Sequence, residues 1–286
     1  MRKTMMRNWS WLVVLALIAC TYVQAQVKMK DWSPAYVGID QASGSINAKY
    51  VSVIYAMRVD LRAPGISFVS SQHSGTKATV SDTVSDFAKK THAQVAINAG
   101  FFSPCCLEHE EDKNILGVSI SEGKVVSPPA AKDEYNAALL ITQQNEASIT
   151  TVSPDTDLSR VFTAVAGSAV IVQKGENTGN VNQLNKAAYA NPRTAVGVSK
   201  DGRYLYLVVI DGRKPGYSMG TSNSETAEVL IALGAYTALN LDGGGSTTMV
   251  KSDEQGNVET VNHPSGGAER FDASALGVHA SFLPKR

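Results

Sequence analysis

The sequence is poor in cysteine, and this scarcity limits how its fold can be stabilised. Of its three cysteines, Cys20 lies in an N-terminal apolar run, while Cys105 and Cys106 are adjacent. Exported domains that depend on disulfides carry more cysteines, spaced along the chain. We therefore expect a core stabilised by burial of apolar side chains. The polar segment 105–112 lacks the paired ligand spacing of a structural zinc site. It is interpreted as a surface loop with a vicinal disulfide.

The chain also lacks an excess of charge of either sign, and it has few aromatic residues. Basic and acidic residues number 26 each, whereas nucleic-acid-binding proteins normally show a basic stripe. Aromatic residues make up 7%, which does not favour a lectin built on aromatic platforms. The five histidines lie outside the motifs described below. This distribution argues against the His/Asp metal centre of a phosphatase or phosphodiesterase that splits P–O bonds.

Apart from the N-terminus, no apolar run is long enough to cross a membrane. The apolar run 11–19 follows basic residues only, which is the pattern of a signal peptide. Cleavage before Gln26 predicts a free exported protein, whereas the lipobox-like sequence before Cys20 predicts a lipid-anchored one. We expect residues 1–25 to be a leader and the protein to be periplasmic or on the cell surface. Without the leader the formal net charge is −3.

Short β-branched runs bounded by turn residues predict a strand-rich protein. The predicted strands are 50–55, 67–71, 95–98, 116–120, 137–141, 169–172, 195–198 and 205–210. Turn residues at 200–203 predict a hairpin. Helical spacing predicts helices at 80–90 and from the N-cap Ser224 to Gly234. We expect an α+β fold with a mixed β-sheet core and a few helices, in a single domain at 50–286 after a lead-in at 26–49.

Two polar motifs begin at or near predicted strands, where binding loops are common. Asn98 and Gly100 follow the strand at 95–98. The amide of Asn98 suits sugar hydroxyls, and Phe101 or its neighbour could stack on a sugar ring, although a simple turn with core phenylalanines explains the same pattern. Arg193 and Thr194 begin an apolar strand. An arginine there needs an anion, which can be a substrate phosphate or an interior carboxylate.

Two further motifs carry carboxylates at strand ends. Asp211 closes an apolar strand and Arg213 follows it, although Asp-Gly is also a common turn. Asn240 and Asp242 precede three glycines and Ser246. Consecutive glycines allow close backbone approach, and their amides can form an anion-binding nest. No Gly-Lys-Ser/Thr follows, so the turn is not a Walker A motif.

Together with a helix start, these motifs occur in the order found in one family. They are Asn98-Ala99-Gly100-Phe101-Phe102, Pro192-Arg193-Thr194-Ala195-Val196-Gly197, Asp211-Gly212-Arg213, Glu225-Thr226-Ala227 and Asn240-Leu241-Asp242-Gly243-Gly244-Gly245-Ser246. From about residue 50 to about 282 the chain resembles the phosphodiester glycosidases. Arg270 also fits the family pattern. The chain departs from that pattern at Ala99, where glycine is usual, and at Ser274, where asparagine is usual.

The resemblance implies hydrolysis of a sugar-1-phosphodiester, such as one of N-acetylglucosamine, at the anomeric C–O bond. The implied catalytic residues are Asp242, Asp211 and Glu225, with the division of roles between them open. The implied substrate-binding residues are Arg193, Asn98, Gly100, Thr194, Arg213, Asn240, Gly243, Gly244, Gly245 and Ser246, of which Arg193, the glycine amides and Ser246 are expected to hold the phosphate.

The expected partner is a small molecule or glycan carrying a sugar-1-phosphodiester. Neither nucleic acid nor a membrane is expected, except through a lipid on Cys20. No cofactor is expected to be required, and a carboxylate-held divalent cation is kept as an open alternative. The competing function is a surface protein that binds glycans or the cell wall with weak or no catalysis.

Overall fold

The β-strands of the computed structural model form antiparallel sheets flanked by two helices. The structure describes residues 26–105, 110–131, 134–179 and 189–284. The expected leader and Cys106 lie outside these residues. The strands are β1 Gln26–Met29, β2 Ser33–Tyr36, β3 Ile39–Asn47, β4 Val51–Asp60, β5 Ser67–Ser70, β6 Thr79–Val80, β7 Val95–Asn98, β8 Phe102–Ser103, β9 Asp112–Ile115, β10 Ser119–Ser121, β11 Lys124–Ser127, β12 Ala137–Thr142, β13 Ala147–Thr151, β14 Val161–Gly167, β15 Ala169–Gln173, β16 Glu176–Asn177, β17 Arg193–Ser199, β18 Tyr204–Ile210, β19 Ala235–Asn240, β20 Met249–Ser252, β21 Val258–Thr260 and β22 Ala275–His279.

The largest sheet, sheet I, has nine strands in the order β1-β3-β4-β18-β17-β19-β15-β16, with β2 paired to β3. Its strand β18 is a continuous apolar run because both of its faces are covered. Leu205, Leu207 and Val209 point into the main core, whereas Val208 and Ile210 pack with the second helix. The predicted hairpin is confirmed, since β17 and β18 pair directly.

The segment 26–49, expected as a lead-in, supplies the strands β1 to β3 at the edge of sheet I. Strand β3 pairs with β4 over its whole length. The sequence of β3 is mostly polar, so no strand was predicted here, although Ile39 and Ile46 are completely buried. The lead-in is therefore part of the sheet.

Two five-stranded sheets complete the main core. Sheet II has the order β21-β20-β7-β22-β5, and sheet III has the order β11-β10-β14-β12-β13. Ile97 of sheet II and Leu139 of sheet III share one apolar cluster with Leu207 of sheet I. A small sheet, β6-β9-β8, covers one side. The described part of the chain is thus dominated by sheets, with fewer helical residues than an α+β class suggests.

The two helices begin later or earlier than the sequence patterns predict. Helix α1 spans Val84–Thr91 and is N-capped by Thr83, because residues 79–80 belong to β6. Helix α2 spans Asn223–Leu233, and its N-cap is Ser222 instead of Ser224. Gly234 ends α2 with a left-handed φ of 104°, as predicted. Neither helix, nor any other among the described residues, is long and apolar enough to span a membrane.

Candidate active site

The predicted motifs meet at one edge of sheets I and II. Neighbouring antiparallel strands run in opposite directions, so the end of one strand lies beside the start of the next. The ends of β7, β18 and β19 therefore lie close to the starts of β17, β20 and β22. This arrangement brings together residues that are more than a hundred positions apart in the chain.

Asp242 lies between β19 and a 3-10 turn at Gly244–Ser246. Its Oδ1 accepts a hydrogen bond of 2.9 Å from the Gly243 amide, and its Oδ2 accepts one of 2.8 Å from the Ser246 hydroxyl. The turn thus holds the carboxylate of its own first residue. The side chain is partly exposed.

Asn98 joins this turn to strand β7. Its Nδ2 donates to the Asp242 carbonyl at 2.7 Å, and its Oδ1 accepts from the Thr194 hydroxyl at 2.6 Å and the Thr248 amide at 3.1 Å. Asn98 and Thr194 are both buried. Their polar atoms bond to protein groups, so the two residues position Asp242 and do not face a substrate.

The expected anion nest is largely occupied by the protein itself. The Gly243 amide bonds to Asp242, and the Gly244 amide donates to the Pro192 carbonyl at 2.9 Å. The Gly245 amide makes no hydrogen bond to any residue that the structure describes. The expectation that all three glycine amides hold a phosphate is therefore wrong for Gly243 and Gly244.

The glycines instead make room for two guanidinium groups. A Cβ atom on Gly244, whose φ is +66°, would lie 2.8 Å from Nη2 of Arg213, and one on Gly245 would collide with the guanidinium of Arg270. Arg213 is exposed, and Asn191 Oδ1 accepts from its Nε and Nη2 at 3.2 and 3.0 Å. Arg270 Nη1 donates to Ser246 Oγ at 3.3 Å. Two cations thus flank the turn that carries Asp242.

The surroundings of Asp242 shift its pKa in opposite directions. Burial raises the pKa of Asp242 to about 6, against the lowering effects of Ser246, the Gly243 amide, Arg270 and Arg213. The carboxylate is therefore ionised at neutral pH but gains a proton within a physiological range. A pKa near the working pH is suited to a nucleophile or a general base.

A second carboxyl group, that of Asp272, lies near Asp242 and belongs to none of the sequence motifs. It is 5% exposed, and neither of its oxygens has a hydrogen-bond partner among the described residues. Burial and the charge of Asp242 raise its pKa well above the usual range, although Ser246 beside it acts in the opposite direction. Its surroundings thus favour the protonated form of Asp272 more strongly than that of a free carboxyl group. No motif marks it, because it stands in an irregular segment before β22.

An aromatic pair lies on another side of Asp242. The rings of Phe101 and Tyr135 are 4.9 Å apart, and both are partly exposed. Burial raises the pKa of Tyr135, with Glu134 and Asp242 adding to the effect. Tyr135 has a φ of +59°, a strained conformation for a bulky residue. Phe102 is buried in a small apolar cluster, whereas Phe101 is partly exposed.

Arg193 and Glu225 do not point at this carboxyl pair. Arg193 donates to the carbonyls of Thr221 at 2.7 Å and Tyr189 at 2.9 Å, and its burial lowers its pKa to about 10. Glu225 forms a capping box with Ser222 and stabilises the charge of Arg193. A glutamate in the first turn of a helix has this structural use. The geometry therefore supports structural roles for both residues.

Three other predicted residues also make internal hydrogen bonds. Asn240 Nδ2 donates to the Ser168 hydroxyl at 2.9 Å, and the Gly100 amide donates to Ser274 Oγ at 3.0 Å. Asp211 is fully buried and bonds to a separate group of residues described below. Within the described ranges, no three His, Cys, Asp or Glu side chains are arranged to hold a metal ion.

Comparison with known proteins identifies the family of the chain. Residues 91–279 match the phosphodiester glycosidase family. The bovine N-acetylglucosamine-1-phosphodiester alpha-N-acetylglucosaminidase is 29% identical over 184 residues, which cover 59% of this chain. The match spans only about a third (33%) of the bovine protein.

Three solved structures share the fold. The catalytic domain of the zebrafish N-acetylglucosamine-1-phosphodiester alpha-N-acetylglucosaminidase, auto-inhibited by pro-peptide, is 21% identical with a TM-score of 0.64, and the alignment covers 90% of this chain and 88% of that one. A hypothetical protein from Synechocystis is 17% identical with a TM-score of 0.63, covering 89% and 64% of the two chains. A putative exported protein from Burkholderia pseudomallei is 18% identical with a TM-score of 0.58, covering 82% and 74%. The extent of the family match shows that the chain belongs to the phosphodiester glycosidase family.

Proposed function

We propose that this protein hydrolyses a sugar-1-phosphodiester, of the N-acetylglucosamine-1-phosphodiester type, at the anomeric C–O bond. The observation that carries the proposal is the Asp242 carboxylate flanked by the guanidinium groups of Arg213 and Arg270. An anionic diester needs cations, and a glycosidase needs carboxyl groups at the sugar. The family relationship supports the same reaction class.

The two arginines hold the phosphate of the substrate in this proposal. Guanidinium groups match phosphate oxygens, and their charge stabilises the anion that departs when the C–O bond breaks. A phosphate monoester leaves more readily than a sugar alkoxide, so strong general-acid help is less needed. The partly exposed Phe101–Tyr135 pair is placed to contact the sugar ring.

Asp242 supplies the ionised carboxylate, as nucleophile or as base for the attacking water. Burial and the neighbouring charge of Asp242 raise the pKa of Asp272, so this second carboxyl favours its protonated form beside the ionised Asp242. Ser246 donates to Asp242 and accepts from Arg270, so one hydroxyl links the carboxylate to a phosphate-holding arginine.

Hydrolysis in ¹⁸O-labelled water tests the proposed bond cleavage. We expect turnover of N-acetylglucosamine-1-phosphate methyl ester to place the label on the sugar, since water attacks the anomeric carbon. Mass spectrometry of both products measures this. Label on the phosphate would mean P–O cleavage, and absence of turnover across a panel of sugar-1-phosphodiesters would favour a glycan-binding role. A parallel reaction with a chelator tests whether a divalent cation is needed.

The pH dependence follows from Asp242. Its carboxylate becomes protonated as the pH falls through about 6, so kcat/KM should drop about tenfold per pH unit below that value and level off above it. In Ser246→Ala the fall of kcat/KM on the acidic side should move to higher pH. The hydrogen bond from the Ser246 hydroxyl is the largest influence that lowers the pKa of Asp242. If kcat/KM falls at the same pH in Ser246→Ala as in the unchanged protein, another group is responsible for the titration.

Export is also part of the proposed function, supported by the basic and apolar N-terminal sequence. Cell fractionation, with Cys20→Ser as the matched variant, distinguishes a free exported protein from one anchored by a lipid on Cys20. A lipid-anchored protein moves from the membrane fraction in that variant, whereas a free exported protein does not change its fraction.

A further inference from the structure

A second polar cluster surrounds Asp211, on the other side of Asn262 from the glycine turn. The Nδ2 group of Asn262 donates to Asp211 Oδ1 at 2.9 Å and to the Thr247 carbonyl at 3.1 Å. The Asp211 carboxylate also accepts from the His263 amide at 3.1 Å and from the Tyr217 hydroxyl at 2.9 Å. The side chain of Asp211 has no exposed surface. It is therefore unable to touch a substrate and acts through the groups bonded to it.

The hydrogen bonds define how the ring of His263 is oriented. The Tyr217 hydroxyl donates to Asp211, and His263 Nδ1 lies 3.0 Å from the Tyr217 oxygen and 3.2 Å from the Tyr55 oxygen. Burial, together with Tyr55 and Asp211, raises the pKa of Tyr217, so this hydroxyl keeps its hydrogen. Nδ1 is also 3.4 Å from Asp211 Oδ2. These contacts all involve Nδ1, so Nε2 is the ring nitrogen left for a ligand.

The His263 ring lines a cavity of about 530 Å³ whose polar lining consists of hydroxyls and cations. The side chain of His263 is 60% exposed. The lining residues are Lys28, Met29, Lys30, Ser43, Gly44, Ser45, Val53, Tyr55, Tyr217 and His263. No carboxylate is among them. No ion pair joins Lys28 or Lys30 to another residue that the structure describes.

We propose that this cavity is a second anion-binding subsite, which takes a phosphate group between Lys28, Lys30 and Nε2 of His263. The lysines supply fixed positive charge. The imidazole of His263 adds Nε2 to the same space, since its Nδ1 is held by Tyr217, Tyr55 and the nearby Asp211 carboxylate. The hydroxyls of Ser43, Ser45 and Tyr55 add neutral donors around the same space.

The subsite shares a loop with the proposed catalytic cleft. Arg213 and Tyr217 both lie on the segment 211–218, which a Lys214–Ser218 bridge closes. This arrangement favours a substrate with a second phosphate on its aglycone, such as a repeating sugar-phosphate chain. This assignment of substrate class rests on the proposed function, whereas anion binding at His263 does not.

Anion binding is tested by NMR on the full folded protein, with inorganic phosphate as the probe. The imidazole resonance of His263, assigned with His263→Gln, should shift saturably with phosphate and not with chloride at equal ionic strength. The shift should be lost in Lys28→Ser/Lys30→Ser. It should persist in Arg270→Gln, which weakens only the catalytic cleft, and in the charge-matched control Lys124→Ser/Lys174→Ser. A shift that is linear in phosphate, or that survives loss of Lys28 and Lys30, overturns the subsite.

The substrate class is tested by kinetics on two sugar-1-phosphodiesters that differ only in a second phosphate on the aglycone. We expect kcat/KM to be at least about tenfold higher for the bisphosphorylated compound, and the advantage to disappear in Lys28→Ser/Lys30→Ser. Equal kcat/KM for both compounds overturns the substrate assignment, and the subsite then binds free phosphate. If neither compound is hydrolysed, the proposed function fails, while the NMR titration still decides the subsite.

Discussion

Asp242→Asn is expected to lower kcat about 10²–10⁴-fold, the range associated with loss of a general acid or base. The variant should fold normally. Its side-chain oxygen still accepts from the Gly243 amide, and its new NH₂ group faces a Ser246 hydroxyl that is free to rotate and accept. The turn therefore keeps its shape and loses only the ionisable oxygen.

Steady-state kinetics with a sugar-1-phosphodiester measures this effect, and thermal unfolding checks the fold. Asp155→Asn is a suitable control because it removes the same charge from an exposed residue. Asp272→Asn is informative as a second variant. It should keep more activity than Asp242→Asn, since the surroundings of Asp272 favour its protonated form. Near-normal turnover by Asp242→Asn would contradict the proposed role of this carboxylate.

Arg270→Gln is expected to lower kcat/KM about 10²–10³-fold, the cost typical of losing one preorganised donor to a developing anion. Arg270 is the cation nearest to Ser246 and to the Gly245 backbone. It bonds to a hydroxyl and leaves room for a phosphate, so its loss should change activity while leaving the unfolding temperature nearly unchanged.

Arg193→Gln is expected to give the opposite result. The Arg193 guanidinium bonds to the carbonyls of Thr221 and Tyr189, and its loss leaves the buried Thr221 acceptor unpaired at a cost of about 1–3 kcal/mol. Thermal unfolding should therefore report the main effect. A large loss of activity in Arg193→Gln at unchanged stability, with little loss in Arg270→Gln, would return the phosphate contact to Arg193.

The strands were predictable wherever they are apolar on both faces or alternate regularly. Strands β7 and β18 match their predicted spans closely, because each is a continuous buried run. Most strands that escaped prediction are polar or short, although β14 is a mostly buried apolar strand of seven residues. Strand β3 contains serines and a glycine between its buried isoleucines, and only its pairing with β4 makes it a strand. Hydrogen bonding between distant segments stabilises it, and that contribution does not appear in a local pattern.

The sequence by itself determined the family, the glycine turn and the carboxylate at its start. Five motifs in a specific order are sufficient for that, since each reflects a local backbone or side-chain requirement. The sequence also showed that three glycines must admit close approach by something. It did not show that the groups that approach these glycines are the guanidinium groups of Arg213 and Arg270.

Only the tertiary structure decided which polar residues face Asp242 and which are used internally. Asn98, Arg193 and Glu225 stand in motifs, yet their polar atoms satisfy buried groups of the protein. Asp272 and Tyr135 stand in no motif, yet they lie beside the carboxylate. The physical reason is that an antiparallel sheet gathers strand ends from distant parts of the chain, whereas burial and hydrogen bonding then determine which side chains remain available for chemistry.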